Sequence, residues 1–173
     1  DPNQESIKHV RVHDNDIRAC SNEYGIGVVV QGHASQIEIE RNIIRRGRGG
    51  LSLYFPVADK ANGIVFRYNT FADIKFPFLF NDSIIDQDIR IERNLVADGQ
   101  TLHTNSGSPL RYQGWLLDND WIEGPDVDTE IVEKMFTTVR PPVLQSLDAN
   151  SPQFLKPTKE AARFLGGLYY IAN

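Results

Sequence analysis

The feature that most restricts this chain is an asparagine that returns at a nearly constant interval. Asn15, Asn42, Asn69, Asn94 and Asn119 follow one another at steps of 27, 27, 25 and 25 residues. An apolar residue is expected five before, three before and two after each. The sets are Val10/Val12/Ile17, Ile37/Ile39/Ile44, Ile64/Phe66/Phe71, Ile89/Ile91/Val96 and Gly114/Leu116/Trp121, and only Gly114 breaks the pattern. Apolar residues alternating with polar ones signal a strand with one buried face. A unit of this length cannot bury that face alone, so successive units must stack and share one core. Equivalent residues then lie roughly 4.8 Å apart, and the asparagines form a ladder. A carboxamide both donates and accepts hydrogen bonds, and Asn is expected to take the left-handed conformation that a sharp corner demands.

Each unit carries a second apolar strand about ten residues after its asparagine: Ile26-Gly27-Val28-Val29-Val30, Leu51-Ser52-Leu53-Tyr54-Phe55, Phe78-Leu79-Phe80 and a weaker Leu102-His103-Thr104. Gly25, Gly50 and Pro77 precede the first three and read as turn residues. The combined pattern, from about Ile7 to Trp121, resembles the right-handed parallel β-helix of the pectate-lyase-like superfamily. The resemblance implies an all-β solenoid of four to five coils. That superfamily includes lyases, hydrolases, epimerases, adhesins and inert spacers, so it implies a fold more firmly than an activity.

The repeat organises residues 1–123, and residues 124–173 read as a C-terminal tail packed on the solenoid. Pro125, Pro141 and Pro142 mark a loop leaving the stack, with a short helix expected over Asp128 to Phe136. A second helix is expected from Thr158 to the glycine stop at Gly166-Gly167. Cys20 stands alone, which excludes an internal disulfide, and reads as a small buried filler. The pattern begins within ten residues of Asp1, so the first coil is expected to be covered by another chain or by further sequence of a larger protein.

A net charge of −5 gives no footprint for nucleic acid. Arg45-Arg46-Gly47-Arg48 is the one basic tract and reads as a solvated turn unless the partner is an acidic polysaccharide. No apolar run approaches the roughly 18 residues of a membrane span, and no signal-peptide pattern is legible.

Outward positions of the first strand form two columns, Arg11, Glu38, Val65 and Arg90 beside His13, Glu40, Arg67 and Glu92. They read as a solvated face whose pairs Arg11–Glu38 and Glu40–Arg67–Glu92 favour correct register. Four residues after each asparagine come Ala19, Arg46, Asp73, Asp98 and Glu123. Stacked carboxylates raise one another's pKa, and paired acids suit glycoside hydrolysis. Converging carboxylates also suit Ca²⁺, the one cofactor these acids could hold. The plainer reading is that Asp73 and Asp98 hydrogen-bond their own turns.

On the second strand, Ser52, Leu79 and His103 are expected in one outward column, and Tyr54, Asn81 and Asn105 in the next, with Asp82 just beyond. An aromatic ring among amides and hydroxyls suits a sugar-binding groove, with Asp73, Asp98 and His103 as the candidate catalytic set. Asp82, Asp86 and Asp88 otherwise read as a solvated connecting turn. Trp115 and Tyr112 could stack on a sugar or anchor the tail, whereas Trp121 reads as core. The expected function is carbohydrate recognition by part of a larger extracellular, cell-surface or periplasmic protein, whether or not it is a lyase or hydrolase. The alternative is a structural module whose open end stacks on a partner chain.

Overall fold

The computed structural model describes residues 7–19, 24–32, 34–54, 62–80, 88–97, 103–104, 116–117, 119–122, 136–139 and 151–152. In chain order the strands are β1 (Ile7–His13), β2 (Asp16–Arg18), β3 (Ile26–Gln31), β4 (Ala34–Glu40), β5 (Ile43–Tyr54) and β6 (Asn62–Arg67). They continue with β7 (Thr70–Phe80), β8 (Ile89–Glu92), β9 (Leu95–Val96), β10 (His103–Thr104), β11 (Leu116–Leu117), β12 (Asn119–Ile122) and β13 (Phe136–Val139). The described residues are all-β, without a helix.

Two sheets share these strands, and every strand pairing is parallel. The first, sheet A, runs β1-β4-β6-β8-β11. The second, sheet B, runs β13-β12-β9-β7-β5-β2, with β3 also on β5 and β10 also on β7. Successive repeats therefore add one strand to sheet A and then one to sheet B, which is how a short unit buries its apolar face against its neighbours. The register follows the repeat residue for residue. Val10, Ile37, Ile64 and Ile89 align, as do Val12, Ile39, Phe66, Ile91 and Leu116. On sheet B, Ile17, Ile44, Phe71, Val96 and Trp121 form the third column.

The core lies between the two sheets. Phe66, Phe71, Phe78 and Phe80 are its largest side chains and are fully buried. Phe71 stacks on Phe66 with centroids 5.7 Å apart and meets Phe78 edge-on at 5.0 Å. Burying each such ring contributes about 1.5–3 kcal/mol. Val10, Val12, Ile17 and Val28 are only partly buried against this cluster, because the end strands have a neighbour on one side.

Two local expectations are corrected. The residue in left-handed conformation is the one before each of the first four asparagines: Asp14, Arg41, Tyr68 and Arg93 have φ of 58°, 55°, 58° and 53°. The asparagines keep negative φ, so they occupy the corner for their amides and not for backbone tolerance. Gly50 and Pro77, expected as turns, lie inside the continuous strands β5 and β7. These strands bend at Arg46 and Asp73, where φ is 58° and 54°. Gly50 serves packing, since a Cβ there would collide with the Phe71 ring and lie 2.6 Å from the Pro77 carbonyl oxygen.

Beyond Trp121 the sequence pattern predicts a loop leaving the stack, yet β13 pairs in parallel with β12. Phe136, expected to close a helix, instead opens this strand. Backbone pairing along the β12 edge places this strand without a repeat signal of its own. Cys20, Tyr112, Trp115 and the expected helix over 158–167 lie outside the described residues.

Candidate functional site

The corner asparagines build one continuous polar line. Asn15, Asn42, Asn69 and Asn94 each donate from Nδ2 to Oδ1 of the next asparagine, at 3.0, 3.0, 3.0 and 2.9 Å. The backbone N–H of each also donates to that same Oδ1, at 3.1, 3.0, 2.9 and 3.0 Å. Carbonyls complete each rung: Asn69 Nδ2 donates to Ile39 and Arg67 oxygens, both at 2.9 Å. Asn42, Asn69, Asn94 and Asn119 are buried. The register places Phe136, which has no amide, beside Asn119, so the ladder ends there. Its role is structural.

A second cluster, at the outer edge of the same corner, differs from its sequence reading. Glu40 was expected on a solvated column but is buried. Its Oε1 accepts from Arg11 at 3.0 Å and from Arg41 at 2.7 Å, and its Oε2 accepts from Arg67 Nε at 3.0 Å. Burial works to raise the Glu40 pKa, but the hydrogen bonds from Arg67 and Arg41 outweigh it, and the carboxyl sits below its usual range. The expected Arg11–Glu38 pair is present at 3.0 Å, while Arg67 and Glu92 form no ion pair among those of the described residues. The left-handed turn at Arg41 explains the difference, because it brings a guanidinium back over Glu40 and over Asp14 (2.8 Å). Asp14 is held far below the ordinary carboxylate range by the Arg41 hydrogen bond and then by His13, and Arg41 is raised in turn. Nothing in strand alternation signals that turn. Three arginines saturating one carboxylate make a clamp between units, with no group left to react.

The outer face of sheet B is different in kind. The expected column exists: Val29 aligns with Ser52, Ser52 with Leu79 and Leu79 with His103. Gln31 aligns with Tyr54 in the next. Val29 is 49% exposed and Tyr54 46%, while Ser52 and Leu79 are half-buried. Sequence reading omitted Val29 and Gln31, though their alternation along β3 was available to find them.

Asp73 is exposed on β7, six residues before Leu79. At about 3.3 Å per residue that is at most roughly 20 Å of chain, and the strand bends at Asp73 itself. Asn81, Asp82, Asp86, Asp98 and Asn105 lie outside the described residues, and Asp88 is exposed. Among the described residues no three His, Cys, Asp or Glu side chains gather to hold a metal ion. No helix among them is long and apolar enough to cross a membrane.

No family model, curated protein or solved structure matches this chain. The geometry alone therefore carries the functional argument. Parallel register sets side chains in straight, evenly spaced rows, and on the outer face of sheet B those rows carry a half-exposed tyrosine, a valine, a serine and a glutamine.

Proposed function

We propose that this chain is a carbohydrate-recognising segment of a right-handed parallel β-helix of four to five coils, similar in kind to the pectate-lyase-like superfamily. In this reading it belongs to a larger secreted or surface-located protein and carries a partly helical C-terminal tail. The observation that carries the binding role is Tyr54, an aromatic ring left 46% exposed on a parallel sheet. It stands in register with Gln31 and two residues along β5 from Ser52. A ring of this kind packs on the apolar face of a pyranose, and neighbouring amide and hydroxyl groups pair with sugar hydroxyls.

Titration with a panel of neutral and acidic oligosaccharides tests the reading. Tyr54→Ala is expected to weaken binding about 10-fold, the loss of a single stacking contact of roughly 1.4 kcal/mol, and to leave the unfolding temperature unchanged. Absence of binding to every member, or equal binding by the variant, would remove the proposal.

A second reading has its own observation. The end carrying β1, β2 and β3 presents strand edges on both sheets, Ile7 is 60% exposed, and Asn15 Oδ1 accepts no hydrogen bond among the described residues. An assembly module stacking a partner on that end would use these features. Sedimentation showing that the protein associates through this end, together with no saccharide binding, would favour it.

A further inference from the structure

We propose that the outer edge of β3 is a self-association edge, on which a second copy of this chain pairs its own β3 antiparallel across a two-fold axis. The inference rests on the assembly reading above and adds to it the identity of the partner and the strand that meets it.

Three strands lie at this end of the stack, and among the described residues each has a strand on one side only: β1 on β4, β2 on β5 and β3 on β5. Their sequences treat the remaining edge differently. β1 carries Lys8 and Arg11, and β2 carries Asp16 and Arg18. Charges on an edge strand disfavour pairing with another chain. β3 reads Ile-Gly-Val-Val-Val-Gln, with consecutive valines, no charge and no proline. Of the three edges it alone lacks the usual protection against a further strand.

The same composition selects the partner. A strand that meets its own copy across a two-fold must suit itself, because every contact occurs twice. The uncharged β3 meets that condition, whereas β1 laid on its copy would set a basic strand against a basic strand. Side-chain direction then fixes the register. Val28 and Val30 align with the core residues Leu51 and Leu53, while Val29 aligns with Ser52 and is exposed on the outer face. Residues directly opposite in an antiparallel pair share a face. A two-fold through Val29 therefore sets Val29 against its copy on the outer face, and Val28 against Val30 of the copy on the core face. Val28, only partly buried at this end, gains the neighbour that inner strands already have. The axis is normal to the sheet, so the outward row of Val29 and Gln31 continues into that of the second copy. Tyr54, one strand further in, stays open to ligand.

Sedimentation velocity of the full chain over a range of concentrations tests the proposal. The wild type is expected to pass from monomer to dimer as concentration rises. Val29→Lys sets like charges directly opposite each other and is expected to weaken the dimer about 10-fold. Lys8→Gln, on the β1 edge, is expected to leave it within about twofold. Val29→Cys in a Cys20→Ser background gives a second measurement should Val29→Lys fail to fold. Oxidation is expected to link two copies of it, since opposite Cα atoms of an antiparallel pair lie about 5 Å apart, and to leave Lys8→Cys in the same background unlinked. A dimer that Val29→Lys leaves unchanged, or that Val29→Cys does not cross-link, overturns the β3 edge while leaving the assembly reading in place. A chain that stays monomeric up to about 1 mM overturns both.

Discussion

Two neighbouring positions in each repeat behave in opposite ways. The asparagine position holds Asn in successive units, is buried from Asn42 onward, and makes nearly the same hydrogen bonds every time. The position just before it holds Asp14, Arg41, Tyr68 and Arg93, reaches solvent, and carries the positive φ. The strain of the left-handed turn, of order 1 kcal/mol or more for a residue with a Cβ, is therefore accepted at a residue whose type is free to change. The asparagine is held by a different demand. A buried backbone N–H and two carbonyls in each corner need partners, and only a side chain that both donates and accepts can serve them and also reach the next unit. Repetition of a residue at a corner thus indicates the polar atoms to be satisfied, while conformational strain lies next door.

The largest expected effect breaks the ladder in its middle. Asn69→Asp keeps the acceptor for Asn42 but sets a buried carboxylate against the Ile39 and Arg67 carbonyls and Asn94 Oδ1. A loss of about 3–5 kcal/mol is expected, against about 1–3 kcal/mol for Asn69→Ala and under about 1 kcal/mol for Asn15→Ala, which is exposed. Denaturant unfolding of the three variants orders them; equal losses at Asn15 and Asn69 would show that rung position is irrelevant.

An intermediate effect concerns the clamp outside the corner. Glu40→Gln is expected to cost about 1.5–3 kcal/mol at pH 7, the worth of hydrogen bonds to a charged group. The folded-state pKa of Glu40 is depressed, so its contribution is fully present above the unfolded value of about 4.3 and is lost as pH falls through the lower folded value. The gap in stability between wild type and variant should close across that acidic range. A gap independent of pH would mean that shape, and not charge, holds Glu40 in place.

The smallest effect tests the variable position. Tyr68→Asn substitutes a residue that accepts positive φ more readily, but removes a hydroxyl that accepts from Arg93 at 2.9 Å and a ring beneath Arg67. These terms oppose each other, and thermal unfolding should show a net change within about 0.5 kcal/mol. A loss as large as that of Asn69→Ala would erase the distinction between the two positions.

Much of this was legible in the chain before any coordinates. Period and alternation determined the parallel stacking, the three apolar columns and the amide ladder, because each follows from burying a short unit against its own copy. The register of Ser52, Leu79 and His103 followed from the same rule, and so did the Arg11–Glu38 and Glu40–Arg67 pairs. What the sequence could not determine depends on where the backbone departs from regular alternation. The left-handed turn at Arg41 buries Glu40 under three arginines, and the bends at Arg46 and Asp73 turn two expected strands into one. Parallel pairing of Phe136–Val139 with β12 was invisible for a related reason: its partner is a sheet edge that exists only once the earlier units have folded. Tertiary structure decided these points because a turn or an edge gains its energy from neighbours distant in sequence, and a local pattern does not contain them.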